Sequence, residues 1–405
     1  MTEARAGVPV PEHGRPRIGQ EELALRRAKL TELLSERGAD AWLAYGDDGA
    51  VAGPDHVRYL TNVAPHFEPV LVAGGTAGRS VLLTGPETAE YARAVVAGAI
   101  EVLSISELAH SSEEYPTIEL RSGLELLRDV VGRSAALALL GADRVPHSLY
   151  SSVIEPLEAH HRVEAVGEEA YTLRRVKTAA EQLVIDEAYR IALTGLRAAL
   201  DVLWPGAIER EVAAEAEYAM RRAGAEGFGI DTMVASGISN TRPILARSTF
   251  REIARDDLVC ITLAPRYEGY HAAMARPFLF QANPSVERAV EVAKEAQRMA
   301  EVSLRTGSEG RSAESAARAV VVRSGVDAEF PYVGIHTIGV IEFEPPIFAS
   351  GSSARVEEGM ALSIDIPMFH APWGGFRVED GFAIRDGHAA PRVDRYQEVV
   401  PLLLH

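Results

Sequence analysis

One cysteine, Cys260, stands among 405 residues, so an internal disulfide is excluded. Its place in the apolar run 258–264 reads as a buried thiol rather than a nucleophile. No stretch approaches the roughly 18 consecutive apolar residues of a membrane span. Basic residues are outnumbered, with Lys+Arg 41 against Asp+Glu 58 and a net charge of −17. That balance argues against a broad nucleic-acid or anionic-membrane surface. The chain also lacks a G-x-G-x-x-G with a following acid, a Walker loop, H-E-x-x-H and G-x-S-x-G. Residues 1–20 are rich in Pro, Gly and charge without an apolar h-region, so they read as an arm and not as a signal peptide. A cytoplasmic protein acting on a small molecule is the expectation.

What is present is an ordinary globular composition, 47% hydrophobic and 24% charged, in a chain too long for one comfortable core. The pattern changes near residue 172. This predicts an arm over 1–20, an α/β domain over 21–172 and a second domain over 173–405. In the first domain a leucine stripe (Leu23, Leu30, Leu33, Leu34) predicts a helix over 21–37. Strands are expected at 41–45, 70–73, 80–84 and 135–140, with an amphipathic segment at 117–131. The second domain predicts helices over 180–202 and 209–223, then strands at 231–236 and a hairpin of 258–264 with 270–280. The order then recurs, with helices over 286–305 and 312–324 and strands at 361–369 and 376–384. Two α-α-β halves of one curved antiparallel sheet follow, with helices behind it and a cleft between the halves.

Several words of the second domain occur in a fixed order. They are Ser236-Gly237, the hairpin Tyr267–Phe278, Gly334-Ile335-His336-Thr337-Ile338-Gly339 and Phe343-Glu344-Pro345-Pro346, followed by Gly359–Asp365 and Gly374-Gly375-Phe376-Arg377-Val378-Glu379-Asp380. Together they resemble the creatinase/prolidase/aminopeptidase P family, and the resemblance spans about residues 175–390. It implies an α/β N-terminal domain and an α+β pita-bread C-terminal domain, in a homodimer. Family members with two metals use two Asp, one His and two Glu as ligands. The resemblance places those positions on Thr262, Ala273, His336, Asp365 and Glu379. Alanine coordinates nothing, so the two-metal mechanism loses two hard oxygen donors.

The leading expectation is therefore creatinase-like: no cofactor, and hydrolysis of a C–N bond in a small amino-acid-like or guanidino/amidino substrate. His336 would be the acid/base, made more basic by its carboxylate neighbours, and Asp365 and Glu379 would orient the substrate. The histidine that follows Ser-Gly in creatinase-like enzymes falls near Ile244, which leaves His271 as a second catalytic candidate. His271 precedes Ala273 by two residues and would face the same side of a strand. Thr262, Arg242, Arg377, Phe343 and His66 are candidate substrate contacts. Arginine suits a substrate carboxylate, and the resemblance implies that the His66 loop reaches toward a partner's site. The alternative is a metal-dependent Xaa-Pro-type peptidase, with one divalent ion on His336, Asp365 and Glu379. A third reading is an inactive pita-bread module that binds a partner.

Overall fold

A computed structural model describes residues 14–49, 51–76, 78–109, 114–132, 134–332, 334–393 and 402–404. Most of the arm expected over 1–20 lies outside the described residues. The chain forms two compact units, Met1–Arg174 and Arg175–His405.

In the first unit six strands form one sheet: β1 (Ala41–Gly46), β2 (Val70–Gly75), β3 (Val81–Thr84), β4 (Glu101–Ser104), β5 (Ala136–Leu140) and β6 (Arg162–Val166). Their order is β4-β3-β2-β1-β5-β6, with parallel pairs where helices make the crossovers. Every residue of β1 and β5 is buried, as expected for central strands covered on both faces. The amphipathic segment expected over 117–131 is helical only at Gly123–Val131, where Ser122 caps it. Just before that cap, Arg121 is drawn into a bridge with Ile105, its amide donating to the Ser104 carbonyl at 3.1 Å. A sheet-edge hydrogen bond takes the place of the first helical turns.

The second unit begins with a capping box, in which the Thr178 hydroxyl accepts from the Glu181 amide and Glu181 returns the bond. The capped helix is Ala179–Asp201, and Glu209–Ala223 follows. The second helix pair is Pro284–Ser303 and Arg311–Ser324. Val286, Ala289, Val290, Ala293, Ala296 and Ala300 form a buried stripe at helical spacing. They pack with Ile364, Ile366, Val378 and Phe382 of the sheet.

The strands of this unit are β7 (Gly227–Phe228), β8 (Met233–Ser236), β9 (Leu258–Leu263), β10 (Pro265–Tyr267), β11 (Tyr270–His271), β12 (Met274–Leu279), β13 (Gly334–Thr337), β14 (Glu344–Ile347), β15 (Ala361–Ala371), β16 (Gly374–Arg385) and β17 (His388–Pro391). The large antiparallel sheet runs β14-β13-β15-β16-β12-β9-β8, with β17 also on β16. The expected single hairpin is thus split. Strands β9 and β12 belong to the large sheet, while β10 and β11 leave it and join β7 in a small sheet. The break falls at Ala272 and Ala273, which belong to no strand. Alternation therefore does not carry from His271 to Ala273, so strand geometry does not put both on one side, contrary to the expectation from the sequence.

Candidate active site

Strand pairing lines up the chemistry. Gly334, Asp365, Glu379, Ala275 and Thr262 are successive Cα partners across β13, β15, β16, β12 and β9. Directly opposed residues of antiparallel strands project to one face, so Asp365, Glu379 and Thr262 share a side. His336 joins them two residues along β13 from Gly334. Asp380, one step from Glu379, faces the helices instead. There it pairs with Arg276 and accepts from Gln297 at 3.1 Å. Arg276 also donates to the Glu379 carbonyl at 2.6 Å, which fixes the backbone beneath the site.

His336 is buried, with Nδ1 2.9 Å from the Thr337 carbonyl oxygen. A carbonyl only accepts, so Nδ1 carries the proton and Nε2 presents its lone pair. The Phe343 ring lies against the imidazole, 4.1 Å between centroids. Burial pulls the imidazole down to about 4, despite the Thr337 bond and the Asp365 charge. The expected increase in basicity is therefore reversed: no carboxylate bonds to Nδ1, and desolvation outweighs the neighbouring charges.

One donor atom each from His336, Glu342 and Glu379 lies within 4.8 Å of the other two. The third place in this group goes to Glu342, where the sequence reading had Asp365. Asp365 is turned toward other partners. The Tyr332 hydroxyl donates to Oδ2 at 2.8 Å, and Arg377 stands 3.7 Å from the same oxygen. Asp365 Oδ1 is buried without a hydrogen-bond partner among the described residues. Ser363 donates to Glu379 Oε1 at 2.8 Å.

All three carboxyls are pushed upward. For Glu379 the causes are burial, then the charges of Asp365 and Glu342; for Asp365 and Glu342 burial also leads. Arg377 moves in its own charged direction: burial opposes its charge, but Asp365, Tyr332 and Glu379 outweigh that cost. Three carboxylates and one guanidinium sum to −2 when all are ionised.

The remaining candidates fall at different distances from this group. Thr262 and Arg377 line a recess with Met233, Ile244, Cys260 and Phe369. Arg377 also donates to the Ile244 carbonyl at 2.8 Å. His271 is fully buried, its amide and Nδ1 both directed at the Gly339 carbonyl oxygen, 2.9 and 3.2 Å away. It borders the site through Gly229: a Cβ there would lie 2.4 Å from the imidazole and 3.5 Å from Glu342 Cβ. Arg242 is exposed at the end of the short helix Gly237–Thr241. His66 is exposed and belongs to the first unit. Glu342 and Tyr332 were not singled out in the sequence. Both sit outside the strands, where no periodicity points them inward.

Several known proteins are similar to this chain. The chain is 26% identical over 368 residues to the Xaa-Pro dipeptidase of Pyrococcus furiosus, covering 90% of this chain and 96% of that one. It is also 26% identical to the uncharacterized peptidase YqhT of Bacillus subtilis, covering 89% and 96%. Among solved structures, the prolidase of Pyrococcus horikoshii OT3 superposes with a TM-score of 0.78 at 23% identity, covering 93% of this chain and all (100%) of that one. The X-Pro aminopeptidase of Thermotoga maritima gives 0.77 at 21%, covering 93% and 98%. Those likenesses establish the pita-bread fold. Metallopeptidase family M24 matches residues 184–386, half of the sequence, and the chain belongs to that family.

Proposed function

We propose that this protein is a hydrolase of small peptides, of the Xaa-Pro type, that depends on one divalent metal ion. The observation that carries the reading is the charge of the cluster: two buried carboxylates, Asp365 and Glu379, and the half-buried Glu342 against one guanidinium leave −2 when all are ionised. One dication neutralises that charge, whereas two would leave an equal excess of the other sign. Thr262 and Ala273 hold the positions where the resemblance puts the family's two aspartates, and neither adds a carboxylate.

His336, Glu342 and Glu379 would hold the ion, and this donor set of one neutral imidazole and two hard oxygens suits Mn²⁺, Co²⁺, Fe²⁺ or Zn²⁺. The His336 tautomer leaves Nε2 free to coordinate. Bound there, the metal would polarise the peptide carbonyl and lower the pKa of a water nucleophile. The chain's own groups supply the rest. Asp365, steadied by Tyr332, offers Oδ1 as an acceptor for a proton or a substrate N–H. Arg377 keeps the site's charge from rising further and forms part of the recess that would seat a substrate side chain.

The metal-independent, creatinase-like expectation gives way here to its alternative. An acid/base works best with a pKa near the operating pH, and His336 at about 4 lies well below it. The relatives named above are peptidases, and two of them are Xaa-Pro enzymes by name.

The test is a titration of chelator-treated protein with Mn²⁺ or Co²⁺ by calorimetry, run alongside hydrolysis of Xaa-Pro dipeptides. One equivalent bound, with activity lost in chelator and restored by that equivalent, is the expected result. Two equivalents would return the dinuclear mechanism, and undiminished turnover of dipeptides in chelator would return the metal-free one.

A further inference from the structure

The turn between β13 and β14 carries Glu342 and Phe343 to the site, yet nothing in its own sequence is rigid in the way a helix is. Its shape comes from inside. The Glu344 carboxylate is buried and accepts from the amides of Val340 at 3.0 Å and Ile341 at 3.4 Å. Its other oxygen accepts from Lys177 Nζ at 2.9 Å, both side chains being 1% exposed. The chain wraps this carboxylate so closely that a Cβ on Gly339 would lie 2.6 Å from Glu344 Oε2. The Thr337 hydroxyl closes the base of the turn onto the carbonyls of Glu344 and Pro345, at 2.8 and 2.7 Å. Lys177 is itself anchored, its amide donating to the Gly359 carbonyl at 2.9 Å one residue before the Thr178 cap.

We infer that Lys177 and Glu344 are positioning residues: their buried ion pair sets the turn that places Glu342 beside His336 and Glu379. The inference rests on the one-metal reading above. It assigns a use to a buried pair that otherwise costs desolvation, and that use is geometric: the pair holds the turn, and the metal-holding group itself is His336, Glu342 and Glu379. The two residues lie far apart in sequence, so the site depends on an anchor that no local motif contains.

The experiment measures Mn²⁺ affinity by calorimetry at 25 °C for wild type, Glu344→Gln, Glu344→Asp and Lys177→Met, with the unfolding temperature of each metal-free protein recorded in parallel. Asp186→Asn, which breaks the pair with Arg392 elsewhere in the same unit, serves as the control for general destabilisation. Positioning predicts about a 10- to 100-fold weaker Kd in the Glu344 and Lys177 variants, the range seen when partners of metal ligands are removed, and an unchanged Kd in Asp186→Asn. Glu344→Asp keeps the charge and shortens the reach, so it reads out placement even if Glu344→Gln fails to fold. Variants that melt earlier but bind Mn²⁺ with wild-type affinity overturn this inference and leave the one-metal reading standing. A wild type that binds no Mn²⁺ overturns both.

Discussion

Two buried charged clusters, one in each unit, follow opposite designs. In the first unit Asp55 is fully buried and completely engaged. Arg144 donates to Oδ1 at 2.9 Å and the Tyr171 hydroxyl to Oδ2 at 2.7 Å; Arg174 stands 3.6 Å from Oδ2, and the His56 amide also donates. One carboxylate meets two guanidiniums there, and Arg174 packs on the Tyr171 ring. In the second unit three carboxyls share one guanidinium, and an oxygen of Asp365 has no partner among the described residues. In the first arrangement both oxygens of the carboxylate have hydrogen-bond donors, whereas in the second one carboxylate oxygen has none among the described residues. Buried charge alone therefore says little about function; the informative quantity is the charge left over once every neighbour is counted.

The largest effect that could break this contrast is on stability without metal. Asp55→Asn should cost about 3–5 kcal/mol, because it removes the carboxylate that faces the buried Arg174 guanidinium. Asp365→Asn should cost little or even stabilise, because it removes one of three crowded carboxylates. Urea unfolding in chelator measures both. Equal losses would mean that the acidic cluster is as well satisfied as the Asp55 cluster.

Acid provides the next test, since the raised carboxyls of the second cluster oppose the loss that a buried imidazole brings in both. Burial holds His56 down to about 4 although Asp55 adjoins it. Below its unfolded pKa of about 6.5 the unfolded chain takes up a proton that the folded chain refuses. Stability of the first unit is then lost as pH falls from 6.5 to 4, by about 3 kcal/mol for a shift of that size. The carboxyls of the second unit are raised, so without metal the folded form keeps protons that the unfolded form releases. Their strain is absent at low pH and grows as pH rises above the ordinary carboxyl range. His336, also held down to about 4, opposes the gain from the carboxyls, so hydrogen exchange resolved by residue at pH 7, 6 and 5 should show protection falling around His56 and falling less, or rising, around Glu379. A parallel fall in both places would sink the contrast.

How much of this was legible in the sequence depends on what kind of signal each part leaves. The helices expected from 180 and 286 begin at Ala179 and Pro284, close to the expectation because local caps at Thr178 and Asn283 fix their starts. The row holding Thr262 and Glu379 was readable because strand words recur in order and pairing brings them into register. The split hairpin was not, because the departure of β10 toward Phe228 is decided by partners more than thirty residues away. Glu342 was not legible for a related reason. It sits in a turn, next to a register shift between His336 and Thr337, where period-two alternation no longer tells which acid points inward. Glu344, two residues on in the Phe343-Glu344-Pro345-Pro346 word, faces Lys177. Asp365 shares the face of the sheet with Glu379 and Thr262, but its hydroxyl partner Tyr332 lies outside any regular element.

The smallest predicted effect separates a strained cluster from an ordinary one most cleanly. Glu342→Gln preserves shape and removes one charge. In chelator the cluster's excess falls from −2 to −1, Glu379 ionises more readily, and stability should rise by about 1 kcal/mol, the worth of somewhat less than one pKa unit. With Mn²⁺ present the variant has lost an oxygen that holds the ion, so its gain from binding should be smaller than that of wild type. The two proteins should therefore exchange rank: the variant melts later in chelator, and wild type melts later in Mn²⁺. A destabilising mutation elsewhere lowers both curves, and a harmless one moves neither. Only a carboxylate that is unfavourable alone and favourable with a cation reverses the order, and thermal unfolding of two proteins in two buffers is enough to see it.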